Sequence, residues 1–220
     1  SPAAAFGNAT DVLADDNAAG EAALLRFDDL FGNGPGQVPL GSTIDSATLS
    51  LYVTDHDAGD SVTLHRMLVA WSEASTFNSL AGGVQADGSD AAAAASATVD
   101  AGLSGWVGIG GLEADVQAWA LGATAHGWAL VSHNADAWAF ASSEHATTAW
   151  HPVLAISYTP PQGAVVGTSG GSATYTENGA AVAVDPGLTL TDADSTHLTG
   201  ATVAITGGHL SGEDVLGFTN

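Results

Sequence analysis

From Ala47 to Thr54 the chain alternates strictly: Leu49, Leu51 and Val53 on one side, Thr48, Ser50, Tyr52 and Thr54 on the other. A period of two places successive side chains on opposite faces, so this stretch predicts a half-buried β-strand. Ser61 to Met67 repeats the pattern with Val62, Leu64 and Arg66 on one face, and the acid-rich link with Gly59 predicts a hairpin between the two. Shorter apolar runs predict further strands at Ala22–Phe27, Trp106–Ile109, Gly127–Ser132, Ala137–Ala141 and Val153–Tyr158. One stretch breaks the rhythm. Leu112, Val116, Trp119 and Ala120 recur at helical spacing and Gly122 follows as a stop, which predicts a short helix over Leu112–Leu121. Ala91–Ala95 adds a helical turn by propensity, within a long Gly-containing excursion between strands. Many short strands, glycine-rich turns and almost no helix predict an all-β sandwich.

Composition narrows the function classes. The 220 residues carry 24 Asp and Glu against two basic residues, a formal net charge of −22. Phosphate backbones and anionic membranes both require Lys and Arg, so nucleic-acid binding and membrane attachment by charge are disfavoured. No apolar run is long enough to span a bilayer. Hydrophobic residues make up 45%, which excludes wholesale disorder, so the acidic charge sits on a folded body. There is no cysteine, and calcium is the staple expected in its place for an acidic secreted protein. Met67 is the single methionine, and Ser1-Pro2-Ala3-Ala4-Ala5 reads as the start of a processed, exported chain, which predicts a secreted or cell-surface location.

Candidate chemistry is sparse. Asp55, Asp57 and Asp60 fall within six residues, and three carboxylates this close repel unless a cation separates them, so they form a candidate calcium site. Asp87 and Asp90 read as a solvated loop. Arg26, between Leu25 and Phe27, predicts a structural ion pair. The eight histidines are scattered; Glu144, His145, His151 and His133 form the one combination that suggests a transition-metal site, against the commoner reading of surface histidines. No HExxH, GxSxG, phosphate-loop or dinucleotide motif occurs, so the chain does not read as an enzyme. Six tryptophans divide between two readings, core filling and stacking on sugar rings.

The order LLRF, SATLSLYV, WSEASTFNS, DVQAWALG, GWAL, FASSE, HPVLAISYT resembles the DNRLRE family of extracellular β-sandwich modules over about residues 5–159. The resemblance implies a jelly-roll-like antiparallel sandwich with a non-catalytic role, and some relatives look like carbohydrate-binding modules for acidic polysaccharides. His151 stands where many members have arginine before the proline. On the carbohydrate reading, Trp138, Trp150 and His151 are the candidate contacts.

Pro160-Pro161-Gln162-Gly163 reads as a linker between domains at 1–159 and 164–220. Beyond it, TYTENGAAVAVDPGLTLTDADSTHLTGATVAITGG resembles the opening half of the cadherin-like repeats of calcium-dependent bacterial adhesins. Strand segments are expected at Val182–Val184, Leu188–Leu190 and Ala201–Ile205. The resemblance implies a partial Ig/cadherin-like β domain with Glu177, Asp192 and Asp194 as calcium ligands; the alternative is that Asp192-Ala193-Asp194-Ser195 is a polar turn. Such a repeat needs more strands after Phe218-Thr219-Asn220. Either the sequence is a piece of a longer chain or a neighbour supplies them by strand complementation. The sequence therefore predicts a calcium-stabilised structural or adhesive module, with self-association or neighbouring domains as partners, and a carbohydrate-binding module as the alternative.

Overall fold

The computed structural model describes residues 3–15, 22–56, 60–133, 137–198 and 200–217. Two compact units emerge, Ser1–Pro161 and Gln162–Asn220, divided within the Pro160–Gly163 stretch.

In the first unit two antiparallel sheets enclose a common apolar core. One sheet is built on β3 (Thr43–Asp55), whose 13 residues run the length of the sandwich. Along one side it pairs with β6 (Gly105–Ile109), in the register Leu49↔Ile109 to Val53↔Gly105. Along the other it pairs first with β9 (Val153–Thr159) and then with β8 (Trp138–Ala141), beyond which lies β1 (Asp11–Ala14). The second sheet has the order β2 (Ala23–Leu25), β7 (Trp128–Ser132), β4 (Ser61–Arg66) and β5 (Ala97–Asp100). Leu49, Leu51 and Val53 from the first sheet meet Val62, Leu64 and Leu130 from the second, with Trp128, Trp138 and Phe140 wholly buried among them. Each such side chain taken from water contributes about 1.5–3 kcal/mol before entropy is counted.

The alternation in β3 and β4 appears as expected, but the two strands do not form a hairpin. They lie in different sheets, so the pairing a hairpin requires is not made. Alternation specifies one buried face per strand; it does not say which strand lies alongside, and strands in two sheets satisfy it as well as a hairpin. Ala91–Ala95 is not helical either: Ala91 bridges Met67, and this segment is tied down by bonds such as Ala92 N–H to the Arg66 carbonyl. The excursion 67–96 covers the outer face of the second sheet, where Met67, Ala91 and Ala129 pack with Leu24, Val69, Trp71 and Val84.

The helix α1 (Glu113–Ala120) forms at the expected place. Glu113 and Asp115 occupy its positive first turn, where carboxylates are favoured. Gly122, at φ +100°, closes its end, donating to the Trp119 carbonyl while Ala123 donates to Ala118. The helix also repairs an irregularity in β3. Register slips between Ile44 and Ser46, and the freed backbone N–H groups of Ile44 and Ala47 are taken by Gln117 Oε1 at 2.9 Å and Glu113 Oε1 at 3.3 Å.

In the second unit β10 (Val165–Gly167) and β11 (Thr189–Thr191) form a two-stranded antiparallel ribbon. The strands expected at Val182–Val184 and Ala201–Ile205 are absent from the described residues. Their apolar side chains stay in water, Val184 at 74% and Val203 at 77%, because nothing in this unit packs on them. Strand propensity without a covering layer does not make a ladder.

Candidate functional site

The outer face of the first sheet carries Thr48, Ser50, Tyr52 and Thr54 from β3, and the topology builds an aromatic group on it. β6 places Trp106 directly opposite Tyr52, with the rings 5.7 Å apart at 85°. On the other side of β3 there is a gap. β9 pairs with β3 as far as Ser50 and β8 resumes pairing at Val53, so the connection 142–152 must lift off the sheet beside Tyr52. It does so through a 3₁₀ turn, Thr148–Trp150, that lays the Trp150 ring flat on Tyr52 with centroids 4.1 Å apart and planes within 5°. Trp106 and the Tyr52–Trp150 stack therefore form a wall and a floor at nearly right angles. Next to the corner the surface is low, with Gly108 opposite Ser50 and half-exposed Val153 at the edge.

The loop that carries Trp150 is held by its own polar groups. The Ser142 hydroxyl donates to the Ala9 carbonyl at 2.6 Å and accepts from Glu144 N–H at 2.9 Å. His145 Nδ1 accepts from Thr147 N–H at 3.0 Å, which leaves the proton of a neutral ring on Nε2. His145 lies 4.8 Å from Trp150, and His151 Nε2 donates to the His145 carbonyl at 2.8 Å. At the far end of the face Thr54 donates to Asp11 Oδ1 at 2.7 Å.

Neither arginine reaches this face. Arg26 binds Asp28 at 2.6 Å and the Trp71 carbonyl at 2.9 Å, with its guanidinium 5.2 Å from the Trp71 ring. Arg66 pairs with Asp115 at 3.6 Å, the same carboxylate that accepts from buried Trp128 Nε1 at 2.8 Å. The chain's basic side chains are thus committed to structure on the second sheet and its helix. What the face offers a ligand is apolar ring surface, hydroxyls, imidazoles and a carboxylate, with no cation.

The expected site residues fare unequally. Trp150 belongs to the aromatic group, and His151 to the loop that carries it, bonded to the His145 carbonyl. Trp138 does not: it is fully buried against Phe140, 5.6 Å between rings, and no sugar can reach it. All four residues of β8 are buried, so a tryptophan in AWAFA points to the core. Sequence reasoning left Tyr52 out and offered Trp106 only as one of six tryptophans; the pairing of β3 with β6, which local pattern does not encode, brings the two together. His133 is also remote from His145 and His151, bonded instead to Thr63 Oγ1 at 2.9 Å on the second sheet.

The acidic candidates do not converge on a shared point among the described residues. Asp55 Oδ1 accepts from His56 N–H and Asp60 Oδ1 from Ser61 N–H, at 3.0 and 2.8 Å; Asp57 lies outside the described residues. In the second unit Asp194 accepts from Gln162 N–H and Asp192 from Asp194 N–H, and both lie on exposed loops. The Gln162 bond is the leading cause holding the Asp194 carboxyl below its ordinary value of 3.8. Glu177, Asp192 and Asp194 are not gathered into one ligand set, and among the described residues no three His, Asp or Glu side chains are. Within the D-x-D segment the bond from Asp194 N–H to Asp192 is a local one, spanning two residues. Asp87 likewise accepts from the Ser89 hydroxyl and N–H, as a solvated loop should.

No model of a known protein family, no curated protein and no solved structure matches the chain.

Proposed function

We propose that the first unit is a non-catalytic binding module of a secreted or surface microbial protein, and that it docks uncharged polysaccharide on the outer face of its first sheet. The observation that carries this is the right-angled group of Trp106, Tyr52 and Trp150 on an open sheet face without a basic residue. Pyranose rings present apolar C–H faces that pack on aromatic rings, and their hydroxyls exchange hydrogen bonds with rim groups, donating to the Asp11 carboxylate and pairing with Ser50 and His145. Acidic polysaccharides of the kind the DNRLRE resemblance implies need guanidinium or ammonium partners for their carboxylates, and both arginines are engaged elsewhere. Trp106 is 49% exposed, so a sugar can cover roughly 80 Å² more of it, worth about 2 kcal/mol or roughly thirtyfold in affinity.

Affinity electrophoresis against neutral glucans, xylans and mannans, with alginate and pectin alongside, tests the reading. Retardation by a neutral polymer, lost in Trp106→Ala, is the expected result. Absence of retardation in every neutral gel overturns it.

A structural or adhesive role is the second reading, favoured by the second unit. There the ribbon β10–β11 leaves Val165, Val166, Leu188 and Leu190 about half exposed or more, an edge and face of the kind that strand addition covers. Electron microscopy of the chain with calcium and after chelation tests it; filaments lost on chelation support calcium-dependent assembly, and single particles in both conditions dismiss it.

A further inference from the structure

A second site with different chemistry lies at the opposite kind of surface, beside the end of α1. The loop from β2 to β3 folds against the turn that follows the helix, fixed by the Gly41 N–H to Ala120 carbonyl bond at 2.8 Å and the Val38 N–H to Leu30 carbonyl bond at 2.9 Å. Between them is a cleft of about 370 Å³, walled by Phe27, Phe31 and Trp119, with Asp28 and Asp29 among its lining residues and Gly122 and Ala123 along one side. We propose that this cleft binds a small organic cation of the alkylammonium class.

Three independent features select positive charge. First, the half-buried Phe27 and Phe31 line the cleft beside Leu30 and Leu40, and an aromatic ring at such a site attracts an ammonium group as well as burying it. Second, the carboxylates at the cleft are unequally engaged. Asp28 is taken by Arg26 at 2.6 Å, while among the described residues no cation lies within ion-pair distance of Asp29. Gln37 Nε2 bonds the Asp29 backbone carbonyl at 2.9 Å, and that residue sits at φ +53°, so the loop that presents the side chain is fixed in place. Third, the cleft lies at the negative end of α1, whose last turn contains no basic residue. The overall charge of −22 adds a long-range attraction for cations over anions. The volume admits a headgroup the size of trimethylammonium with a short tail and excludes a polymer.

Calorimetric titration of the full chain with choline chloride tests the proposal, at constant ionic strength set with sodium chloride. The control ligand is 3,3-dimethylbutan-1-ol, which has the same shape and no charge. Saturable choline binding at least about tenfold tighter than the neutral isostere is the expected result. Asp29→Asn, which keeps the size and tolerates the left-handed backbone, is expected to weaken choline about fivefold and leave the isostere unchanged. Phe31→Leu is expected to weaken choline at least about threefold while the thermal midpoint stays close to the parent's. No saturable choline binding, or equal binding of the two ligands, overturns the proposal. Trp106→Ala, on the other sheet face, is expected to leave choline binding intact, which separates this cleft from the polysaccharide site.

Discussion

Asp115 shows how much one acidic side chain does in a chain with so many. It sits in the first turn of α1, accepts from Trp128 Nε1 at 2.8 Å and faces Arg66 at 3.6 Å, tying helix, core tryptophan and β4 together. Asp115→Ala strands a buried indole N–H and a guanidinium, and it is expected to cost about 2–3 kcal/mol, less than a fully buried pair because Arg66 is partly solvated. Thermal unfolding checks this, and Asp115→Asn, which retains an acceptor for Trp128, is expected to lose about half as much. The contrast with Asp55, Asp60 and Asp194, each accepting a nearby backbone N–H, is one of placement and not of residue type.

Among the elements, β7 depends on the glycine that precedes it as well as on its apolar residues. Gly127 precedes it at φ +76°, and a Cβ there would stand 2.0 Å from the Leu25 carbonyl oxygen of β2. Gly127→Ala is therefore expected to cost about 3 kcal/mol or more, by combining backbone strain with a clash that separates β2 from β7. Urea unfolding with an unchanged slope and a lower midpoint is the expected signature. The connection between β8 and β9 works differently, since its Ser142 and His145 bonds hold a loop whose product is the placement of Trp150. Ser142→Ala removes the bond to the Ala9 carbonyl and is expected to weaken neutral-polysaccharide binding several-fold with about 1 kcal/mol lost in stability. Binding unchanged despite the lost stability would show that Trp150 does not contribute.

At the scale of the molecule, the two units differ in what holds them. The first encloses 22 buried apolar residues in one cluster; the second presents its apolar side chains to water and relies on polar turns. One of these is the turn where Asp185 accepts from the Ser169 hydroxyl and N–H, with the hydroxyl bond the leading cause that holds its carboxyl below 3.8. A carboxyl depressed on folding stabilises above its unfolded value and ceases to do so as pH falls through the folded one. Amide exchange at Val165–Gly167 is accordingly expected to accelerate as pH is lowered through and below 3.8, relative to a Ser169→Ala variant in which the ribbon is already loosened. Cleavage within Pro160–Gly163 is expected to leave the first unit's thermal midpoint unchanged, because its core is closed within residues up to Pro161.

Local pattern determined the long strand β3 and the helix α1, since burial of alternate side chains in β3 and of Val116, Trp119 and Ala120 in α1 follows directly from period. The sequence carries the acidic balance as well, and with it the expectation against polyanionic partners. The weakly apolar DVLA and ATVD segments went unread, for as strands β1 and β5 each shows a single buried residue and their pairing comes from neighbours. Partner choice is where sequence reading stopped. Whether β3 pairs with β4 or the two enter different sheets, and whether Trp138 faces the core and Trp106 the solvent, depend on contacts between segments tens of residues apart. Those contacts are decided by the joint packing of two sheets, in which each strand's register is set by every other, and only the tertiary structure states the outcome.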